Sequence, residues 1–182
     1  MLEPTLETIT IAGTPTALHS WTPKTSKATV VGYHGFLAHA RYPTVRYAAE
    51  LLFQNGFTVV AADMMGHGQS EGLKGYLKSS QSVIDWGVQV AQRVKPQFLL
   101  GSSMGGTIAC CVARQVPSVK GICLLAPMLQ LSVSSVAQSL LWGLSHVIPT
   151  AEIIPSSSTS AEKQYRDAER RDECEESSTG GG

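Results

Sequence analysis

The sequence lacks an excess of charge of either sign, a secretory signal and any cysteine pattern typical of metal sites. Fourteen basic residues balance fourteen acidic ones and the pI is near 7.0, which argues against nucleic acid as a partner. Residues 1–5 contain neither a basic nor an apolar segment, so no secretory signal is predicted. The four cysteines have no metal-ligand spacing, and Cys110, Cys111 and Cys123 are expected to be buried and reduced. We therefore expect a cytoplasmic protein without a metal or another cofactor.

The most informative stretch is Gly101–Gly105, which reads G-x-S-x-G directly behind the apolar run Phe98–Leu100. Small residues follow at 107–113, so a strand, a sharp turn and a helix are predicted in that order. A serine on such a turn exposes its hydroxyl, and a side chain at Gly101 or Gly105 would collide with the backbone. This segment, which we call the serine elbow, nominates Ser103 as a catalytic nucleophile.

An attacking serine also needs hydrogen-bond donors for the negative oxygen of a tetrahedral intermediate. The backbone N–H of Met104, the residue after the serine, is one candidate. The second donor is expected in the loop that follows the earlier strand-like run Thr29–Tyr33. We assign this role to the N–H of Phe36, with Gly35 letting the backbone approach the substrate and His34 ordering the loop.

Strand-like and helical patterns alternate along most of the chain. The strands are predicted at residues 6–12, 15–21, 28–33, 57–62, 97–101 and 119–126. Helical patterns lie near residues 43–55 and 80–94. This alternation predicts an α/β fold, with a mostly parallel sheet and helices on both of its faces.

A third motif at residues 63–72 reads D-x-x-G-H-G-x-S-x-G. Along the chain, the His34-Gly35 pair comes first, this motif second and the serine elbow third. By the order and spacing of these three motifs, residues 5–175 resemble the monoacylglycerol lipase and lysophospholipase branch of the α/β-hydrolases. This branch is serine aminopeptidase S33-like and includes plant caffeoylshikimate-esterase-like members. The resemblance implies the α/β-hydrolase fold and serine-dependent hydrolysis of a lipid or another small acyl ester. It also implies that Asp63 and His67 shape a loop, and one Asp with one His does not fill a metal coordination sphere.

The acid and base of such an enzyme are missing from their usual places. The resemblance implies the chain order serine, acid, histidine, but the only histidine after Ser103 is His146, and no Asp or Glu lies between them. His146 falls in an apolar helical pattern and is interpreted as structural. The resembling enzymes continue through two more strands, so we expect an incomplete domain with its last two strands absent and little or no activity. A non-catalytic ligand-binding protein and a serine aminopeptidase stay open as alternatives.

Charge is unevenly distributed near the C terminus. Residues 121–151 contain no charged side chain, whereas residues 162–176 hold eleven of the 28 charged residues. We expect a core at residues 1–127, a partial lid at 128–176 and a disordered tail at 177–182. The lid contains an amphipathic helical pattern interrupted by serines, which argues against a membrane span. Its apolar face either packs on the core or contacts an acyl chain or a membrane surface.

Overall fold

The computed structural model describes residues 2–129 together with Ser139 and Gly143. Within these residues the elements, in chain order, are β1 Thr5–Ile11, β2 Thr14–Trp21, β3 Thr29–Tyr33, α1 Pro43–Gln54, β4 Thr58–Ala62, α2 Ser80–Val94, β5 Phe98–Ser102, α3 Met104–Ala113 and β6 Gly121–Leu125. All six predicted strands are present, with bounds within two residues of the prediction. The lid and the tail lie outside the described residues, apart from a few positions, and their boundaries stay predictions.

The described strands form one mixed sheet in the order β1-β2-β4-β3-β5-β6. β1 and β2 form an antiparallel pair, and β2 is antiparallel to β4. The four remaining strands, β4, β3, β5 and β6, run parallel to one another. The predicted mostly parallel sheet is therefore confirmed, with an antiparallel hairpin at one edge.

Alternating side chains on the central strands build two cores, one on each face of the sheet. One core joins α1 to the strands through Val45, Ala49, Val30, Val59 and Leu100. The other joins α2 and α3 to the strands through Trp86, Ile108, Val31, Val60 and Leu99. Neighbours such as 30 and 31 point to opposite faces because side chains alternate along a strand. Helices cover both faces, as the sequence pattern predicts.

Local signals explain where the helices begin. Pro43 occupies the first turn of α1, where its missing N–H leaves no hydrogen bond unmade. Ser79 caps α2 by accepting the Ser82 N–H, and the Ser82 side chain accepts the Ser79 N–H in return. α3 begins at Met104, three residues before the predicted small-residue helix, because the serine elbow leads directly into its first turn.

The topology of the sheet places several loops at one edge. Since β4, β3, β5 and β6 are parallel, their carboxyl ends lie at the same edge. The helices that follow the adjacent strands β3 and β5 cover opposite faces of the sheet. In open α/β sheets, the crevice at such a reversal is where ligands bind. The loops after β3 and β5 are the two that carry Gly35 and Ser103.

Two further findings concern exposure. The expectation that the cysteines are buried is wrong for Cys123, which is exposed, and Cys110 and Cys111 are half-buried. Cys123 lies on β6, which among the described strands has a neighbour only on its β5 side, so its surroundings there are open.

In the described part of the chain, no helix is long and apolar enough to span a membrane.

Candidate functional site

Ser103 lies on the sharp turn between β5 and α3 and is exposed. Its backbone has φ 52° and ψ −120°, a combination that L residues rarely adopt and that is found at strained functional positions. The Ser103 N–H donates to the Leu125 carbonyl at 3.0 Å. Its carbonyl accepts the N–H groups of Gly106 and Met128, each at 2.9 Å. The turn is fixed on both sides and presents the hydroxyl to solvent, as in a nucleophile elbow.

The two flanking glycines are required because backbone atoms occupy the space of a side chain. A Cβ at Gly101 would lie 2.4 Å from the Gly105 carbonyl oxygen and 2.6 Å from Gly106 Cα. A Cβ at Gly105 would lie 2.1 Å from the carbonyl oxygen of Tyr33 and 2.6 Å from that of His34. The missing side chain at Gly105 therefore lets α3 begin directly against the end of β3.

The loop after β3 lies against the serine. A Cβ at Gly35 would lie 3.2 Å from Ser103 Cβ and 3.7 Å from Ser103 Oγ. Among the hydrogen bonds between described residues, none uses the backbone N–H of Phe36 or of Met104. One of these N–H groups follows the serine, and the other follows the glycine that contacts it. Both N–H groups therefore have no partner among the described residues, as a donor that receives an oxyanion requires, and their role in an oxyanion hole stays a prediction.

His34 connects this loop to the loop after β4. Its ring is fully buried, and Nδ1 donates to the Gly35 carbonyl at 2.7 Å. Its Nε2 accepts the Met64 N–H at 2.9 Å. Burial lowers the pKa of His34 to about 4, so the ring is neutral at neutral pH. Both ring nitrogens are engaged within the protein, so His34 is not available to take a proton from Ser103.

Asp63 holds the loop after β4 with a buried carboxylate. This group accepts the N–H of Ala40 at 2.6 Å and that of Gln69 at 2.9 Å. His19 Nε2 donates to it at 3.0 Å. Burial acts to raise the pKa of Asp63, but the hydrogen bonds from these donors outweigh it and hold the pKa below its ordinary value. A Cβ at Gly68 would lie 2.3 Å from Asp63 Oδ2, so the glycine makes room for the carboxylate.

His67, from the same loop, contacts the loop after β3. Its ring centroid lies 5.5 Å from that of His34 and 5.6 Å from that of Phe36. Its Nδ1 donates to the Met65 carbonyl at 3.0 Å. Burial lowers the pKa of His67, because removal from water disfavours the charged ring. The two loops are therefore joined by ring packing as well as by the hydrogen bond from Met64.

No described histidine hydrogen-bonds to the Ser103 hydroxyl. His19 is held by Asp63, and His34 and His67 use ring nitrogens on backbone groups. His39 packs edge-to-face against Tyr42, with ring centroids 6.0 Å apart. His146 lies outside the described residues. Residues 2–129 therefore bring together the nominated nucleophile, its flanking glycines and two N–H donors, without a general base.

Sequence reasoning missed the buried pair of His19 and Asp63. His19 is 3% exposed and Asp63 is 1% exposed. The only signal was a histidine inside a strand-like run, because the partner comes from a motif 44 residues away. The pair connects β2, in the antiparallel part of the sheet, with the loop after β4, whose Asp63 also holds Ala40 in the loop after β3.

Comparison with known proteins identifies the family of the chain. The profile of the family described as serine aminopeptidase, S33, matches residues 24–179, so the chain belongs to that family. The chain is 31% identical to phospholipase YtpA of Bacillus subtilis (strain 168) over 144 residues, covering 73% of this chain and 54% of that protein. It is 34% identical to rat (Rattus norvegicus) monoglyceride lipase over 118 residues, covering 60% of this chain and 38% of that protein.

A solved structure confirms the fold. The α/β-hydrolase GrgF from Penicillium sp. sh18 superposes with a TM-score of 0.72 and 14% sequence identity, covering 84% of this chain and 55% of that one. The chain therefore has the α/β-hydrolase fold over its described part. It spans about half or less of the length of the curated relatives it matches.

Proposed function

We propose that Ser103 is the nucleophile of an ester hydrolase that acts on a lipid or another small acyl ester. The observation that carries this proposal is the backbone of Ser103, with φ 52° on an exposed strand-to-helix turn between two obligatory glycines. Strain of this kind persists where the surroundings impose it and is concentrated at functional sites. The names of the relatives, a phospholipase and a monoglyceride lipase, support the choice of an ester of a lipid as substrate.

In the proposed reaction, Ser103 Oγ attacks the ester carbonyl carbon and transfers its proton to a general base. The carbonyl oxygen becomes an oxyanion that accepts the N–H groups of Phe36 and Met104. The tetrahedral intermediate then expels the alcohol, which takes the proton, and leaves an acyl group on Ser103. Water attacks this acyl group in the same way and releases the acid. The base is proposed to come from outside residues 2–129, because no described histidine hydrogen-bonds to the Ser103 hydroxyl.

The proposal is tested by mapping the site that a fluorophosphonate modifies, using peptide mass spectrometry on the whole chain. An oxyanion hole without a complete triad still accelerates reaction by about a thousandfold to ten-thousandfold over water. Labelling is therefore expected at Ser103, unchanged in Ser102→Ala and absent in Ser103→Ala. Equal labelling of the chain after Ser103→Ala would overturn the assignment.

The oxyanion hole has its own matched pair of variants. Phe36→Pro removes the proposed N–H donor, whereas Phe36→Ala removes the ring and keeps the N–H. Loss of one donor costs about a hundredfold to a thousandfold in rate, so we expect this decrease in labelling rate only for the proline variant. Equal decreases in both variants would contradict the role of the Phe36 N–H.

A non-catalytic ligand-binding protein is the second candidate, favoured by one observation. Ser103 Oγ has no described histidine as a hydrogen-bond partner. Selective labelling of Ser103 would reject this candidate. The family description keeps a peptidase open, and turnover of an aminoacyl anilide in preference to p-nitrophenyl esters would favour it. The proposed membrane contact of the lid falls outside the described residues and stays a prediction.

A further inference from the structure

Leu37, in the loop after β3, has a backbone conformation that is unfavourable for a leucine. Its φ is 56°, which lies in the left-handed region that few residues other than glycine, asparagine and aspartate adopt. Its side chain is 49% exposed, so burial of the leucine does not explain the conformation. Backbone strain of this kind persists where the surroundings impose it. The contacts of Leu37 with its surroundings therefore need an explanation.

This strained residue belongs to a tight turn around one of the proposed oxyanion donors. The Ala38 N–H donates to the Gly35 carbonyl at 3.3 Å, so Phe36 and Leu37 are the two central residues of a four-residue turn. The Phe36 ring packs against His67, with ring centroids 5.6 Å apart, which holds one side of the turn. Leu37 directly follows Phe36, so a contact of its side chain can hold the other side.

Leu37 makes such a contact with Gly75, in the loop after β4. A Cβ at Gly75 would lie 3.1 Å from Leu37 Cδ2, and no other described residue outside the chain neighbours of Gly75 comes within 4 Å of that position. Gly75 has φ 67°, and its N–H donates to the Gly66 carbonyl at 2.9 Å. The Tyr76 N–H donates to the Leu73 carbonyl at 3.0 Å, which closes a second turn. The missing side chain at Gly75 therefore leaves a notch, fixed by hydrogen bonds, that the end of the Leu37 side chain occupies.

We propose that Leu37 is a positioning residue for the oxyanion hole, because its side chain in the notch at Gly75 holds the turn that directs the Phe36 N–H. This inference rests on the proposed function and adds a residue that acts through this N–H. A hydrogen bond to a developing oxyanion depends on the direction of the donor, and a misplacement of about 1 Å can cost about a hundredfold in rate. Loss of the Leu37 side chain should therefore slow the reaction at Ser103 without weakening the binding of a reagent.

The test measures the labelling of Ser103 by a fluorophosphonate in the whole chain, as a maximal rate and a half-saturating concentration. Leu37→Ala should lower the maximal rate about tenfold and leave the half-saturating concentration within about twofold, as expected when only the transition state is affected. Leu37→Met keeps a long, flexible apolar side chain that can reach the notch, so it should retain the maximal rate. All rates are measured where circular dichroism shows the variants folded.

A double-mutant cycle separates the contact from the strain at a glycine with positive φ. Gly75→Ala places a Cβ in the notch. Gly13→Ala is the matched control, since Gly13 has φ 78° but nothing within 4 Å of its Cβ position. Gly75→Ala should lower the maximal rate in the parent chain and have a much smaller effect when combined with Leu37→Ala. Gly13→Ala should leave the rate unchanged in both backgrounds.

The amide signal of Phe36 in ¹⁵N NMR spectra provides a measurement that needs no reaction. Gly75→Ala should shift this signal when Leu37 is present and not in the Leu37→Ala background, and Gly13→Ala should shift it in neither. An unchanged maximal rate in Leu37→Ala, an equal loss in Leu37→Met, or additive effects in the cycle would overturn the proposal. If Gly75→Ala does not fold, the rates of the two Leu37 variants decide. If Ser103 of the parent chain is not labelled, the proposed function fails, and the Phe36 signal alone decides whether Leu37 positions the turn.

Discussion

Replacing Ser103 with glycine should stabilise the fold, although it removes the proposed nucleophile. The φ of 52° and ψ of −120° at Ser103 disfavour any residue with a Cβ, and such positions carry about 1–3 kcal/mol of strain. Glycine adopts the same angles without this strain. The unfolded chain gains conformational freedom from the new glycine, which costs about 0.5–1 kcal/mol. The net expectation is a gain of about 1 kcal/mol in the free energy of unfolding.

Two variants isolate the backbone from the hydroxyl. Ser103→Ala keeps the Cβ and therefore the strain, so it should change stability by less than about 0.5 kcal/mol. Ser102→Gly changes the neighbouring residue, which lies in β5 and is not among the residues with positive φ. Ser102→Gly removes no backbone strain, and its free energy of unfolding should decrease by about 1 kcal/mol because of backbone entropy and reduced packing.

The assay is equilibrium unfolding in urea, with the midpoint and the slope fitted for each variant. A gain of 1 kcal/mol corresponds to a rise of about 2–4 °C in Tm for a chain of this size, so thermal unfolding gives an independent reading. Opposite signs for Ser103→Gly and Ser102→Gly are the expected result. If Ser103→Gly destabilises the chain as much as Ser102→Gly does, the turn is not strained and its backbone does not support a nucleophile elbow at Ser103.

Three other outcomes follow from the same geometry. Gly105→Ala should lose about 2–4 kcal/mol in urea unfolding, because its Cβ would lie 2.1 Å from a carbonyl oxygen, whereas Gly32→Ala, with its nearest atom at 3.4 Å, should change stability by less than about 1 kcal/mol. The pKa of His34 is about 4 in the folded chain and about 6.5 in the unfolded chain. Its neutral ring therefore contributes about 3 kcal/mol to the free energy of unfolding above pH 6.5, and this contribution is lost as the pH falls toward 4. The decrease in the free energy of unfolding between pH 6.5 and pH 4 should be smaller in His34→Gln. Finally, the 182-residue chain should hydrolyse p-nitrophenyl esters with little or no turnover, and fast turnover lost in Ser103→Ala and His146→Ala would contradict this.

Much of the fold could be predicted because its signals are local. Every strand was visible as a short strand-like run, and the two longer helices were visible as periodic patterns between the strands. The serine elbow was also local, since the steric need for Gly101 and Gly105 arises from atoms within a few residues and from the end of one neighbouring strand. Such features depend on residues that are close together in the sequence, so a single sequence is enough to predict them.

The remaining features depend on contacts between distant segments. The order of the strands, with β5 next to β3 rather than β4, is set by chain crossovers that leave no mark on the strands themselves. His19 meets Asp63 across 44 residues, and Trp86 donates to Thr16 across 70. The cavity between the beginning of α2, the beginning of α3 and the segment after β6 likewise arises from three separate segments. None of these contacts can be predicted from the spacing of residues along the sequence, because each forms only when the strands have assembled into the sheet.

The buried polar groups near the serine are arranged to fix loops. A buried carboxylate that loses its partner is strongly destabilising, while apolar replacements of buried ion pairs are often neutral or better, so such groups need a reason besides stability. Here Asp63 binds the backbone of Ala40 and Gln69, and Met64 of the same loop donates to His34. The loop that carries Gly35 and Phe36 is therefore held by hydrogen bonds within the protein, which do not depend on a bound substrate. A backbone donor held in this way needs no rearrangement when charge develops on the substrate, which is the condition under which an oxyanion hole lowers a barrier most.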